Sequence, residues 1–221
     1  MKKCLRLAAA LLVVIGVASP TAAVERPWQL RIFAAGFDGD LDETLPAENP
    51  DEVQVTSDSD LGFGGSIEYQ FSNLIGVEFG AFTASPDIVL SADVPGFGEI
   101  ALTDSMSTTA LTLDANFHLT PSSEYFDFYV GAGLVNLGYG DLHWVDPEGD
   151  PLDVSVSSDF TYSAKAGLGI AFGTGSRWAA FGGLRYIWSD LEFSQPDVPD
   201  SGTASVDFNV FSFSVGIAVS F

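Results

Sequence analysis

The sequence has little of several residues on which common protein functions depend. It contains one cysteine, Cys4, and only eight lysine and arginine residues against thirty acidic residues. Cys4 lies in the segment that is predicted below to be a cleaved signal peptide. The mature chain then contains no cysteine and therefore has no disulfide and no thiol chemistry. Three of the eight cations precede residue 7. The few that remain exclude a nucleic-acid partner, since phosphate binding requires positive charge.

A long apolar run is also missing beyond the amino terminus. The chain opens with MKKCLR and continues with eleven apolar residues, Leu7–Val17, before small residues such as Ala23. This order predicts a secretory signal peptide over residues 1–23. The apolar stretch is too short for a spanning helix, which needs roughly 20 such residues. Residues 24–221 are then predicted to form one mature domain that combines positive mean hydropathy with strong acidity.

Alternation with a period of two takes the place of long apolar runs. Bulky apolar residues occupy one parity, whereas Gly, Ser and Ala dominate the other. Such alternation predicts β-strands with one apolar face. In the last segment the apolar parity shifts between Phe208 and Phe211, which predicts a β-bulge. Eight strands are predicted, over residues 27–37, 61–72, 74–85, 106–119, 125–137, 159–172, 177–188 and 206–221.

The links between these segments alternate in length, with three short links and four long ones. This layout is typical of an all-β, eight-stranded antiparallel outer-membrane β-barrel, an up-and-down meander with short periplasmic turns and long external loops. A soluble barrel with an apolar interior is the alternative, but it needs polar outward faces. Small residues suit the narrow interior of eight strands, and aromatic residues suit a surface in lipid. The predicted location is the outer membrane of a Gram-negative bacterium, reached after secretion to the periplasm.

The carboxyl-terminal strand carries a continuous apolar face that ends on the last residue. Ile217, Val219 and Phe221 share this face. Barrel closure requires a last strand that pairs with the first and leaves no edge. The ending resembles the signal that the barrel-assembly machinery reads at the carboxyl terminus. That machinery and outer-membrane lipid are therefore predicted partners.

Several stretches resemble the OmpW family of small outer-membrane barrel proteins. They occur in the family's order and cover nearly all of the mature chain. The resemblance implies a hydrophobic channel through which small apolar molecules pass, leaving sideways through the barrel wall. The stretches are WQLRIFAAG (28–36), NLIGVEFGAFTASP (73–86), FYVGAGLVNLGYGD (128–141), GGLRYIWSDLEF (182–193) and VDFNVFSFSVGIAVSF (206–221).

The inward parity separates into a charged zone and an apolar zone. If odd strands run outward and even strands inward, the inward charges fall at comparable depths. Because a charge inside a narrow barrel must be paired, they predict a polar plug. The plug is either a structural salt-bridge core or a proton or ion relay. Its residues are Arg31, Glu68, Glu78, Asp114, His118, Asp127, Lys165 and Arg185, joined by Asn116. The residues above it predict an apolar vestibule: Phe33, Phe37, Phe82, Val135, Leu137 and Ile187.

The long loops are acidic throughout. Twenty-four of the thirty acids lie in residues 38–60, 87–104, 141–159 and 190–207, where no Lys or Arg occurs. Such a surface favours solubility, with diffuse binding of divalent cations as the alternative. The segment DGDLDE (38–43) begins like a calcium loop, but its sixth position is Glu43 instead of Gly. We therefore predict no metal site and no cofactor.

Residues that could act in enzymatic catalysis are scarce in the sequence. Only two histidines occur, and neither His118 nor His143 has a serine nearby that the sequence marks as a nucleophile. We expect no enzymatic activity. The predicted function is a narrow channel for small hydrophobic molecules across the outer membrane. The alternatives are a structural or adhesive barrel with acidic, cation-binding external loops and, third, a lipid-modifying barrel enzyme.

Overall fold

The computed structural model describes residues 25–46, 52–94, 98–145, 149, 151–194 and 204–221, so the predicted signal peptide lies outside the described residues. Within these ranges the regular structure consists of sixteen β-strands. No helix among these residues is long and apolar enough to cross a membrane. The strands are β1 (Trp28–Asp40), β2 (Asp42–Pro46), β3 (Glu52–Ser57), β4 (Asp60–Gln70), β5 (Ile75–Ala84), β6 (Asp87–Val94), β7 (Gly98–Ser105), β8 (Thr108–His118), β9 (Phe126–Tyr139), β10 (Leu142–Val145), β11 (Pro151–Val156), β12 (Asp159–Ala171), β13 (Trp178–Trp188), β14 (Asp190–Ser194), β15 (Ala204–Asp207) and β16 (Asn209–Ser220).

Eight of these strands close an antiparallel barrel in the order β1-β4-β5-β8-β9-β12-β13-β16. Each corresponds to one predicted segment, so the predicted eight-stranded meander is confirmed. The last strand pairs with the first from Gln29 opposite Ser220 to Asp40 opposite Asn209. At its end the Phe221 N–H donates to the Trp28 carbonyl (2.9 Å), and the Trp28 N–H donates to the Phe221 carbonyl (3.2 Å). The terminal residue therefore takes part in barrel closure.

The predicted bulge near Phe208 is wrong. Pairing of β16 with β1 runs without interruption through Val210 and Phe211. Phe208 and Val210 point inward and are buried, while Phe211 points outward. The apolar parity shifts because the barrel interior is itself apolar at this height. Apolar residues then occupy both faces of the strand, and the backbone needs no extra residue.

The predicted long loops prove to consist largely of strands. They form two four-stranded antiparallel sheets beyond one end of the barrel, here named sheet I (β2-β3-β6-β7) and sheet II (β10-β11-β14-β15). The sheets meet where the backbone N–H of His143 donates to Asp104 Oδ2 (2.6 Å). Below this contact the Gly140 N–H donates to the Ser107 carbonyl (2.7 Å). We call this the loop end of the barrel.

Three short turns connect the barrel strands at the opposite end, called the turn end, where Trp28 and Phe221 also lie. In the first turn Ser72 Oγ accepts hydrogen bonds from the N–H groups of Leu74 and Ile75 (3.2 and 3.1 Å). A hydroxyl that satisfies the backbone in this way favours a tight turn. In the turn between β12 and β13, Gly175 has a φ of 69°, which glycine adopts at little cost.

The outer face of the barrel is apolar, with aromatic residues near both ends. At the turn end Trp28 lies against Tyr69, with ring centroids 4.7 Å apart. Toward the loop end Tyr162 stacks on Trp188 at 5.0 Å. Aromatic girdles that flank an apolar band are characteristic of barrels in a membrane. Isoleucines and phenylalanines such as Phe63 are exposed between and around them.

Candidate functional site in the barrel interior

Three carboxylates form a row on one wall of the barrel interior. Glu68 on β4 pairs across the ladder with Glu78 on β5, and Glu78 pairs with Asp114 on β8. Like charges directly opposite one another in a sheet are destabilising. All three side chains are buried, so water cannot screen the repulsion. The row therefore requires cations from other strands.

The arginine and lysine side chains of three other strands supply this charge. Arg31 on β1 is almost completely buried and donates from Nη2 to Glu68 Oε2 (2.5 Å) and from Nη1 to Glu78 Oε2. Lys165 on β12 lies across the lumen, with Nζ 2.9 Å from Glu78 Oε1 and 3.2 Å from Asp114 Oδ2. These contacts pass through the barrel interior from wall to wall.

Arg185 on β13 completes the set of cations. Its two terminal nitrogens donate to the two oxygens of Asp114, at 3.0 and 2.7 Å, and Nη1 also donates to Ser163 Oγ (2.8 Å). A two-pronged contact of this kind fixes the geometry of both groups and is stronger than a single charged hydrogen bond. Glu78 accepts a further hydrogen bond from Asn116 Nδ2 (3.0 Å). Arg185 thus joins Asp114 to the β12–β13 wall.

His118 links the buried carboxylates to the turn end. Its Nδ1 lies 2.7 Å from Asp127 Oδ1, and its Nε2 lies 2.9 Å from Glu68 Oε1. Ionised carboxylates only accept hydrogen bonds, so both contacts are satisfied when both ring nitrogens carry a proton. His118 in that form would be a fourth cation. Four cations would then balance four carboxylates. The structure brings all the residues of the predicted polar plug together in one connected network.

Sequence reasoning missed one member of this region, Tyr129. Its ring lies beneath the Arg31 guanidinium, 4.9 Å from ring centroid to Cζ, and is buried. Tyr129 shares the inward parity of Asp127, but the expectation of small inward residues hid it. A glycine opposite it, Gly167, makes the necessary room, because a Cβ there would collide with the phenol ring. A large inward side chain facing a cross-strand glycine is the signal that could have identified it.

The residues of the predicted vestibule lie together toward the loop end, but they do not line an open space. Phe37, Val135, Leu137 and Ile187 are at most 1% exposed, and Phe82 is 7% exposed. The expected open vestibule is therefore replaced by a packed apolar core, with Phe33 partly buried at its edge. The physical reason is the continuation of the strands into sheets I and II. The sheets, together with the residues that link them to the barrel strands, place further apolar side chains over the barrel: Leu41, Val55, Ile88, Leu142, Trp144, Val154, Val156, Leu191, Val206 and Phe208.

Among the described residues, one smaller and one larger cavity of the barrel lie on either side of a layer of side chains. The smaller, of about 40 Å³, lies between the ion network and the apolar core. The larger, of about 120 Å³, lies at the turn end. Arg31, Tyr129 and Phe181 line both cavities and so form the layer between them.

Outside the barrel the acidic sheets contain few groups with a clear chemical role. His143 is exposed, and its Nδ1 lies 2.7 Å from Asp153 Oδ1, a hydrogen bond that raises the pKa of His143. Trp144 is buried in the apolar core, where its indole N–H has no hydrogen-bond partner among the residues that the structure describes. Over the described ranges no group of three or more His, Cys, Asp and Glu side chains is arranged to hold a metal ion.

Comparison with known protein families agrees with the closed eight-stranded barrel. The family described as "Outer membrane protein beta-barrel domain" matches residues 7–218. The chain belongs to this family. It is therefore an outer-membrane β-barrel. Barrels of this kind have short periplasmic turns and long external loops. The loop end is accordingly called external and the turn end periplasmic below, which stays a prediction from the sequence. No curated protein matches the sequence at a significant level.

Solved structures show the same fold at low sequence identity. OprG from Pseudomonas aeruginosa is 14% identical, with a TM-score of 0.63 over 90% of this chain and 98% of that protein. AlkL, solved in lipid bilayers, is 16% identical, with a TM-score of 0.62 over 92% and 94%. Ail from Yersinia pestis, in complex with a heparin analogue, is 15% identical, with a TM-score of 0.52 over 90% and 100%.

Proposed function

We propose that this barrel belongs to the OmpW type and admits small hydrophobic molecules from outside into the outer membrane. The observation that most strongly supports this function is the continuous apolar core. It runs from the interior of sheets I and II to Phe33 and Phe82 within the barrel. An apolar solute that entered between the sheets would remain in apolar surroundings down to this depth. In the same proposal the protein has no enzymatic role.

The ion network blocks a straight path to the periplasm. An apolar solute that crossed it would have to separate Arg31, Lys165 and Arg185 from their buried carboxylates. Breaking a buried pair in this way costs several kcal/mol, on the order of 3–5 for each lost partner. The route is therefore expected to end above the network and to turn toward the lipid.

The wall between β1 and β16 supports a sideways exit. Phe33 packs edge-on against Phe181 inside the barrel, with centroids 6.0 Å apart. It also lines an apolar groove of about 420 Å³ on the lipid face, together with Ile32, Val215 and Gly216. Phe33 thus borders both the interior and the groove. In this proposal, displacement of Phe33 from Gly216 opens the exit.

Uptake into intact cells tests the proposal, because lipopolysaccharide slows the passage of apolar compounds. Cells that make the barrel should take up N-phenylnaphthylamine faster than cells without it, as followed by fluorescence. Phe33→Ala should raise the rate several-fold further. The matched control is Phe63→Ala on the lipid face, which should leave the rate unchanged. Equal uptake in cells with and without the barrel would refute the proposal.

Two observations favour a second candidate, a structural or adhesive barrel. The core residues are so completely buried that passage requires them to move. The external segments also carry twenty-four acids and no Lys or Arg, so they would attract divalent cations or basic partners. In that case uptake would not depend on the barrel, while calcium or magnesium would change its stability.

A further inference from the structure

The apolar core that the barrel shares with the two external sheets contains one polar group without a hydrogen bond. Trp144 on β10 is 4% exposed and belongs to this core. Its indole N–H is buried and has no partner among the residues that the structure describes. An indole nitrogen can only donate, so the missing partner must be a hydrogen-bond acceptor.

Other polar groups beside the core are satisfied within the protein. The hydroxyl groups of Tyr139 and Ser189 lie 3.0 Å apart and share one hydrogen bond. The buried Thr108 donates from Oγ1 to the carbonyl of Met106 (3.4 Å). Buried polar groups are nearly always paired, so the indole N–H of Trp144 needs an explanation. A phenylalanine would fill most of the same volume without a buried donor, so packing alone does not explain a tryptophan here.

Trp144 lies close to the place where the two external sheets meet. β10 is an edge strand of sheet II, and β7 is an edge strand of sheet I. The residue before Trp144, His143, connects them through its backbone N–H and Asp104 Oδ2 (2.6 Å). In the proposed function an apolar solute enters between the sheets. Trp144 is therefore near the entrance and within the core that such a solute would contact.

We propose that Trp144 selects the solute, because its indole N–H donates a hydrogen bond to a carbonyl oxygen of the molecule that enters. This inference rests on the proposed function and names its substrate class: neutral apolar molecules that carry one carbonyl group, such as ketones and esters. The carbonyl oxygen supplies the acceptor that the core lacks. The side chains around Trp144 in the core are apolar, so the remainder of the solute is apolar as well.

The same surroundings disfavour solutes with other polar groups. A carboxylate would bring an unpaired charge into the core, and the acidic external segments would repel it before it entered. An alcohol could accept the hydrogen bond from Trp144, but its own O–H would then need an acceptor. A hydrocarbon would leave the indole N–H unsatisfied. A ketone or an ester satisfies this donor without bringing another one into the core.

A matched pair of compounds tests this selection in intact cells. Methyl naphthyl ketone and isopropenylnaphthalene have nearly the same shape, but the second carries a methylene group in place of the carbonyl oxygen. Trp144→Phe should lower barrel-dependent uptake of the ketone roughly three- to tenfold, the effect of one neutral hydrogen bond, and leave uptake of the hydrocarbon unchanged. Trp188→Phe on the lipid face is the matched control and should change neither rate. Equal effects of Trp144→Phe on both compounds would overturn the inference while barrel-dependent uptake still supported the proposed function. If uptake of neither compound depends on the barrel, both proposals fail.

Infrared spectroscopy of the wild-type barrel gives a second measurement, which does not require that a variant folds. Methyl naphthyl ketone labelled with carbon-13 at the carbonyl is added to the purified barrel in lipid nanodiscs. A hydrogen bond from Trp144 should produce a carbonyl band at lower frequency than in nanodiscs without protein. Trp144→Phe should lose this band, and Trp188→Phe should keep it. A wild-type spectrum identical to that of empty nanodiscs, or a shifted band that persists in Trp144→Phe, would overturn the inference.

Discussion

The periplasmic and external halves of this molecule have opposite arrangements of polar and apolar residues. In the periplasmic half of the barrel, ions such as Arg31 and Asp114 lie inside and apolar side chains such as Ile67 lie outside. Beyond the barrel, in sheets I and II, Leu142 and Leu191 are buried, and the acids that flank Leu191, Asp190 and Glu192, are exposed. The first arrangement suits lipid, and the second suits water. The chain changes from the first arrangement to the second where the barrel strands end and the strands of sheets I and II begin.

This difference shows why the interior cannot be uniform. In lipid the outer face must be apolar, so the narrow lumen can hold polar groups only if they satisfy one another. Above the membrane the outer face meets water, so the strands can bury apolar residues as a soluble protein does. The packed core therefore belongs structurally to the external sheets and extends downward into the barrel as far as Phe33.

The largest expected effect comes from removing the cation between two carboxylates. Arg31→Met leaves Glu68 and Glu78 buried without their arginine, which should lower the free energy of unfolding by about 3–5 kcal/mol. Urea unfolding of the barrel in lipid vesicles, followed by tryptophan fluorescence, measures this loss.

The double variant Arg31→Met/Glu68→Gln separates charge from shape in the same region. It removes one of the uncompensated charges and should recover part of the lost stability. If the double variant is no more stable than the single one, repulsion among the carboxylates is not the reason that Arg31 matters.

The second prediction concerns the external core. Leu191 is fully buried beneath sheet II, so Leu191→Ala should cost about 2–5 kcal/mol. Leu191 projects from sheet II, whereas the barrel is also held by its own closed ladder, so we expect the loss to appear first as local opening of sheet II. Glutamyl endopeptidase on intact cells should then cleave faster after Glu192, while the barrel keeps its heat-modifiable migration.

Leu168→Ala is the matched control, since it removes the same atoms from the lipid face, where acyl chains replace the lost contacts. It should leave cleavage at Glu192 unchanged. Equal acceleration in both variants would show that sheet II and the barrel unfold as one unit, which would remove the distinction between the two halves.

The sequence was informative to different degrees in these two halves. In the periplasmic half the contrast between the faces is strong, so parity alone predicted that Glu68, Lys165 and Arg185 lie inside. Which cation meets which carboxylate could not be predicted, because contacts across the lumen depend on the stagger of all eight strands. Nor could parity distinguish an open vestibule from a packed core, since both have apolar linings.

The external half was harder to predict for a related reason. Its strands are short, and many exposed positions carry acids that also occur in loops, so residues 38–60 resembled an unstructured connection. The parity shift at Phe208 resembles a bulge because both parities of the chain become apolar at that height. Strand signals based on alternation fail where both faces of a strand are apolar.

The third prediction concerns closure at the periplasmic end. Deletion of Phe221 removes two backbone hydrogen bonds to Trp28, each worth roughly 0.5–1.5 kcal/mol, and part of the apolar terminal face. We also propose that Ile217, Val219 and Phe221 are read by the barrel-assembly machinery. The variant should therefore accumulate as unfolded protein in the periplasm. Normal amounts of folded barrel in outer-membrane fractions would contradict this role.

The smallest expected effect is a pH dependence confined to sheet II. Partial burial and the neighbouring Asp207 and Asp159 raise the pKa of Asp190 above its ordinary value of 3.8, and Asp190 stands directly opposite Asp207 across the β14–β15 ladder. A carboxyl whose pKa is higher in the folded state binds its proton more tightly there, so folding is favoured while the proton is bound. The stabilisation of sheet II by this proton is fully present below pH 3.8 and is lost as pH rises through the raised pKa of Asp190.

Hydrogen-exchange protection factors for β15, corrected for the intrinsic effect of pH, should therefore fall as the pH rises from 4 to 7. Asp190→Asn should remove this change and increase protection at pH 7, whereas Asp93→Asn in sheet I should not. Protection of β15 that stays constant with pH in the wild-type protein would show that repulsion between Asp190 and Asp207 does not weaken the sheet.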